Sequence, residues 1–415
     1  MSVIRKITLD LSPLRRFPSF RLVFTARLVS LFGIGLLMVA VPVQVYGLTG
    51  SAVHLAAVAT TSGACVFAGT LTGGLLADRF DRRRVILTAR SAAGVGFLLL
   101  TLNALLPEPL LWPIYALAAW DGLAAGISAS TLTTLVPTLV DRDDLPATGA
   151  LLSLTADLSA MISPAVGGVL IAAWGVGANY AAAAVATAFT AYGVSRLPPY
   201  PPASAAARES PARAIASGLA FAVRHRTVRS VLLAGFATML LSGPVVLLPA
   251  LVETRLGGGE ATLGLLYSAP AVGAVLGSLT SGWIAGARRP GMALLAAMLA
   301  MGLAVLGTGL SVTAVLAFLA LTGYGCGRVL TDILRFTLLQ RNTPDEIRGR
   351  MSSLWQAQVV AAAAVGSMAA GLLAEAFGPA TALVWYGAAA ALLVLVLAAF
   401  LTPLRERGDQ PAHLS

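Results

Sequence analysis

The chain has 415 residues, of which 57% are hydrophobic and 11% charged, and its mean hydropathy is +0.84. A soluble globular protein carries about a quarter charged residues to cover its core, so water is not the main solvent here. The net charge of +10 does not indicate a nucleic-acid binder: lysine occurs only at Lys6, arginines gather in short runs between apolar stretches, and no basic groove interleaved with aromatics is seen.

The first 21 residues are basic and interrupted by Pro13 and Pro18, so no cleavable signal peptide is expected. A bilayer core takes roughly 20 apolar residues in a helix. That ruler gives spans near 22–48, 54–77, 85–106, 112–136, 147–173 and 177–197, then 228–252, 261–287, 291–310, 312–335, 351–376 and 379–402. The expected organisation is a cytoplasmic tail at 1–21, a six-helix half at 22–197, a cytoplasmic linker at 198–227, a second half at 228–402 and a tail at 403–415. Cys65 and Cys326 lie inside apolar stretches and read as packing residues, not a disulfide.

With both termini inside, 24 of the 28 basic residues fall on cytoplasmic segments, among them Arg79, Arg82, Arg83, Arg84, Arg142, Arg288, Arg289 and Arg335. Arg255 alone falls outside, and Arg27, Arg90 and Arg328 fall within spans. The positive-inside rule fixes this orientation. The halves also echo each other, GLLAD at 74–78 with GWIAG at 282–286 and VDRDDLPATGA at 140–150 with NTPDEIRGRMS at 342–352, as in many secondary transporters.

Charges deep in a bilayer are costly and mark pathways. Asp121 in span four and Asp157 in span five both fall near the midplane, and each is either a proton-coupling carboxylate or a static partner of an arginine or backbone group. Arg90, one turn into span three, is expected to snorkel to the headgroups. Arg27 and Arg328 are candidate cavity-lining cations, suited to an anionic or catechol-bearing substrate, although Arg328 could instead pair with Asp332. Gln44, Gln356 and Gln358 supply neutral hydrogen bonds or helix contacts. The chain has three histidines, none in an HExxH arrangement, and no GxxxxGK[ST]. No enzyme, metal site or cofactor is therefore expected.

The loop GGLLADRFDRRRVIL between spans two and three resembles motif A of the major facilitator superfamily, with Gly74, Leu76, Asp78, Arg79, Arg82 and Arg83 matching and Asp81 standing where that family has a second glycine. The resemblance implies an all-α membrane protein of the major facilitator fold, twelve transmembrane helices in two pseudo-symmetric six-helix halves. It also implies that Gly74 allows close helix contact while Asp78 and the arginines stabilise the outward-facing state. In the second half Gly286 replaces the aspartate, so only the first copy is expected to act. ISPAVGGVLI in span five resembles the end of motif C of the antiporter branch, with Pro164, Gly167 and Gly168 matching and Ser163 replacing a glycine. This points to efflux or to ordinary small-residue packing.

Segments such as NALLPEPLLWPIYALAAWDG at 103–122 and LYSAPAVGAVLGSLTSGWIAGARRPG at 266–291 extend the resemblance along nearly the whole chain, toward the enterobactin (catecholate siderophore) exporters of that superfamily. This implies export of such a siderophore from the cytoplasm across the inner membrane; the midplane carboxylates suggest protons as the driving partner, and a monomer is expected because two six-helix halves already enclose a cavity. One proton crossing 100 mV releases about 2.3 kcal/mol. The alternative is a multidrug efflux antiporter of lipophilic drugs, whose cationic substrates would meet Asp121 or Asp157.

Overall fold

The computed structural model describes residues 11–201, 219–221, 223–240, 243–287, 289–343 and 348–400. Part of the expected N-terminal tail, the whole of the expected C-terminal tail, most of the linker, and Arg5, Lys6, Arg208, Arg213, Arg288, Arg405 and Arg407 lie outside these residues, as does the side chain of Gln356.

A short helix Ser12–Arg16 precedes α1 (Pro18–Thr49), α2 (Ala52–Arg79), α3 (Arg82–Ala104), α4 (Leu111–Leu135), α5 (Leu145–Trp174) and α6 (Val176–Ser195). After the linker come α7 (Arg226–Leu240), α8 (Gly259–Leu279), α9 (Pro290–Leu310), α10 (Ala314–Arg341), α11 (Arg348–Phe377) and α12 (Pro379–Phe400). No strand occurs among the described residues. Among the described residues ten segments are long and apolar enough to cross a membrane, counting α7 as continuing to Leu256. Spans four and six were expected as well. Their helices, α4 and α6, have 25 and 20 residues but are less apolar, because α4 carries Asp121 and several hydroxyls and α6 is built on alanine with Asn179.

The chain divides into two compact units, one of residues 1–44 and 61–206, the other of 45–60 and 207–415. The turn between α1 and α2 thus groups with the second unit, where Ser51 Oγ donates to Glu375 Oε2 at 3.1 Å.

Glycines set how closely helices approach within each unit. In the first, a Cβ on Gly69 would fall on the Leu123 carbonyl, one on Gly73 on the Ile127 backbone, and one on Gly126 on the backbones of Val66 and Thr70. Gly69 and Gly73 of α2 thus face Gly122 and Gly126 of α4, two four-residue glycine spacings pressed together. The second unit repeats the device: Gly273 of α8 abuts Thr322 of α10, and Gly325 of α10 abuts Pro270. Gly74, one residue round the helix from Gly73, has no atom within 4 Å of where its Cβ would stand.

The seventh span is broken. Beyond Leu240 it continues as a 3-10 turn (Gly243–Leu247), one helical turn (Leu248–Leu251) and a π turn (Val252–Leu256). Broken backbone is tolerated at membrane depth only where protein satisfies it. Here the Tyr386 hydroxyl of α12 donates to the Leu240 carbonyl.

Substituting leucine for Gly126 or Gly273 forces the paired helices apart, an overpacking cost of about 2 kcal/mol or more. The thermal midpoint of the detergent-solubilised chain should fall by several degrees, whereas Gly74→Ala, in open space, should leave it unchanged or slightly raised.

Candidate functional site

In the first unit the motif A loop is a set of helix caps. Asp81 adopts φ −57° and ψ 121° and its carboxylate accepts from the Arg84 amide at 2.9 Å, a standard N-cap for α3. No non-glycine residue among those described has positive φ, so aspartate serves where the family has glycine. Arg82 is 8% exposed; its guanidinium donates to the Thr134 carbonyl at 3.3 Å, and its amide to the Tyr200 carbonyl at 3.0 Å. Arg83 donates to the Ser195 carbonyl. Two arginines at the start of α3 therefore neutralise carbonyls at the C-terminal ends of α4 and α6, where the helix dipole favours cations. Arg16 adds an ion pair to Asp144 at 3.0 Å and a longer one to Asp141 at 3.6 Å. Arg79 is exposed and Asp78 half-buried.

Deeper in the same unit lies a cluster of buried charge. Arg90 was expected to snorkel outward; instead its Nε donates to Ser128 Oγ of α4 at 2.9 Å and its terminal nitrogen to Ser30 Oγ of α1 at 2.6 Å. Ser30 and Ser128 are 2% and 1% exposed. Two hydroxyls from neighbouring helices replace the water the guanidinium would otherwise seek, so the side chain turns inward. Arg90 also lies within electrostatic reach of Asp121 and of Arg27. The Arg27 Nε is buried with no hydrogen-bond partner among the described residues. Among the described residues this cluster holds two cations and one anion.

The remaining candidates separate. Asp157 of α5 is exposed. Gln44 is 6% exposed and accepts from the Tyr180 hydroxyl at 2.8 Å, and its Nε2 is buried with no partner among the described residues. Pro164, Gly167 and Gly168 are buried. Ser163 fills the space above Gly35, Gly167 lies against Leu36, and Asn179 donates to the carbonyls of Leu36 at 3.2 Å and Gly167 at 3.1 Å. The small residues of α5 thus pack on α1 and α6.

In the second unit Arg328 is exposed and within electrostatic reach of Asp332, but the direct ion pair of Asp332 is with Arg335, at 3.6 Å. Arg335 was placed in a cytoplasmic loop by the sequence reading. It is 0% exposed, because α10 continues to Arg341 and does not end at 335. Its guanidinium stacks over Trp355 at 4.1 Å, meets Gln358 Oε1 at 3.5 Å, and sits where Gly235 of α7 has no side chain. Gln358 in turn donates to the Leu232 carbonyl.

Long apolar helices of this number define a multi-pass helical membrane protein, and its fold is that of the major facilitator transporters. The chain belongs to the transmembrane secretion effector family of that superfamily, whose pattern matches residues 8–413. It is 38% identical over 408 residues to the enterobactin exporter EntS of Shigella boydii serotype 18, covering 98% of this chain and 97% of the relative. It is 37% identical over 407 residues to EntS of Escherichia coli, with the same coverage. Among solved structures, the nucleoside transporter NupG superposes with a TM-score of 0.75 at 13% identity, covering 92% of this chain and 98% of NupG. A POT family transporter gives 0.73 at 13%, covering 94% and 97%. These distant structures share the fold.

Removing the Arg335 guanidinium leaves Asp332 without its ion-pair partner and opens a void against Trp355. Arg335→Ala should cost about 2 kcal/mol or more, read as a lower unfolding midpoint. Arg335→Lys, which cannot stack flat on the indole, should recover only part of it.

Proposed function

We propose that this chain exports an enterobactin-like catecholate siderophore from the cytoplasm across the inner membrane, by alternating access between two six-helix halves, 22–197 and 228–402, in exchange for protons. The relatives' names support the substrate class. The observation that carries the reading in this chain is the cluster of Arg27, Arg90 and Asp121, whose two cations against one anion suit a substrate rich in ionisable catechol oxygens. Cationic drugs would be repelled by it. Both termini are cytoplasmic in this reading, the twelve spans include α4 and α6, and the exporter works as a monomer.

Asp121 and Asp157 are the proposed proton carriers. Asp121 faces a cation, so its charge state sets how strongly Arg90 is held. Asp157, exposed in a span, can exchange protons with a wet cavity. Arg328 and Gln44 are proposed to line the path. Gly74, Asp78, Arg79, Arg82 and Arg83 are proposed to stabilise the outward-facing state, and the packing around Pro164, Gly167 and Gly168 to serve efflux.

The test is the intact siderophore content of the culture supernatant from an iron-starved strain lacking this gene and other siderophore exporters. Complementation should restore secretion, and Arg27→Gln should reduce it about tenfold or more, the loss of one charge-assisted contact. Asp121→Asn and Asp157→Asn should uncouple export from the proton gradient. Unchanged siderophore, together with drug sensitivity that depends on Asp157, would favour the multidrug alternative.

A further inference from the structure

A groove of about 460 Å³ lies on the first unit between α2, α3 and α4. Leu76 and Phe80 form one wall, Trp120, Leu123 and Ile127 the other, and α3 the floor from Arg84 to Ala92. The eight helical steps from Arg84 to Ala92 make the floor roughly 12 Å long, within the half of a ~30 Å hydrocarbon core that one leaflet occupies. It therefore begins at the arginine-rich loop and stops within one leaflet, too short to be a path across. Phe80, Trp120 and Leu123 are 55%, 51% and 39% exposed, and the Trp120 indole is fixed by donating to the Ala92 carbonyl at 2.8 Å.

The loop's charges are unequally committed. Arg82 and Arg83 are turned onto helix-end carbonyls, and one oxygen of the Asp81 carboxylate is held by the Arg84 amide. The Arg84 side chain is exposed and lines the mouth of the groove beside Asp81. An apolar slot of leaflet depth with a guanidinium at its headgroup end complements an anionic phospholipid.

We propose that this groove is a lipid site, holding an acyl chain of an anionic phospholipid from the leaflet on the side of the arginine-rich loop, with the phosphate bound by Arg84. A lipid seated there braces α2 and α4 from outside, at the end of the glycine-packed contact and next to the motif A loop. The proposal is independent of which solute is exported.

The test is native mass spectrometry of the purified full chain, delipidated and titrated with dioleoyl phosphatidylglycerol or dioleoyl phosphatidylcholine. The wild type should prefer phosphatidylglycerol. Arg84→Gln, on the exposed surface, should lower that affinity about fivefold, the worth of one arginine near an anionic headgroup, and leave phosphatidylcholine unchanged. Leu123→Trp, which fills the slot, should weaken both lipids. Equal binding of phosphatidylglycerol by wild type and Arg84→Gln would overturn the proposal. So would displacement of a lipophilic dye by Leu123→Trp with no lipid effect, which would mark a solute entry slot instead.

Discussion

A guanidinium in hydrocarbon has no water to turn to, and this one constraint organises both halves of the chain. Arg90 and Arg335 are each drawn into protein by a small set of groups that could hardly serve another purpose: two serine hydroxyls from two helices for Arg90, and a carboxylate, an amide and an indole face for Arg335. Apart from the Asp332–Arg335 pair within α10, these contacts cross between helices. Satisfying the charge therefore also fixes how those helices pack, which in a membrane has little hydrophobic driving force behind it. Glycine supplies the rest: the close approach of α2 to α4 and of α8 to α10 leaves no room for a side chain at the crossing points.

The same economy explains the motif A loop. Four consecutive charged positions, Asp81 to Arg84, could have been a solvated surface run. Instead Asp81 closes the first turn of α3, and Arg82 and Arg83 close the last turns of α4 and α6. A loop tied to the ends of three helices is placed to follow their relative movement, as the proposed lock requires. In the second half Gly286 stands at the position of Asp78, and the buried cation there is Arg335, on a different helix. The two halves share an architecture while differing in where they keep their charge.

Most of the fold was legible because its signals are long-range sums: apolar length, arginine asymmetry and repeated loops. Helix ends near the expected boundaries of α1 to α6 follow from those sums. What escaped was local. Arg335 ends one apolar run, but FTLLQ after it is apolar enough to carry α10 on to Arg341, so a charge read as a loop lies inside the helix. Arg90 was one turn from a boundary, and only Ser30 and Ser128, distant in sequence, decide that it turns inward. The glycine spacings 69/73, 122/126 and 273/277 were visible as a four-residue period and would have predicted the helix pairs. The approach of Asp121 to within electrostatic reach of Arg90 had no sequence signal, since it depends on the rotation of α3 against α4.

Direct flux most sharply tests the proposal that the cluster of Arg27, Arg90 and Asp121 serves an anionic, oxygen-rich solute. The purified chain, reconstituted in proteoliposomes with an imposed pH gradient, would be assayed for movement of enterobactin and of a lipophilic cation of similar size. The account predicts gradient-dependent enterobactin flux that collapses in Arg27→Gln while the cation stays excluded. Cation flux without enterobactin flux, unaffected by Arg27→Gln, would contradict it.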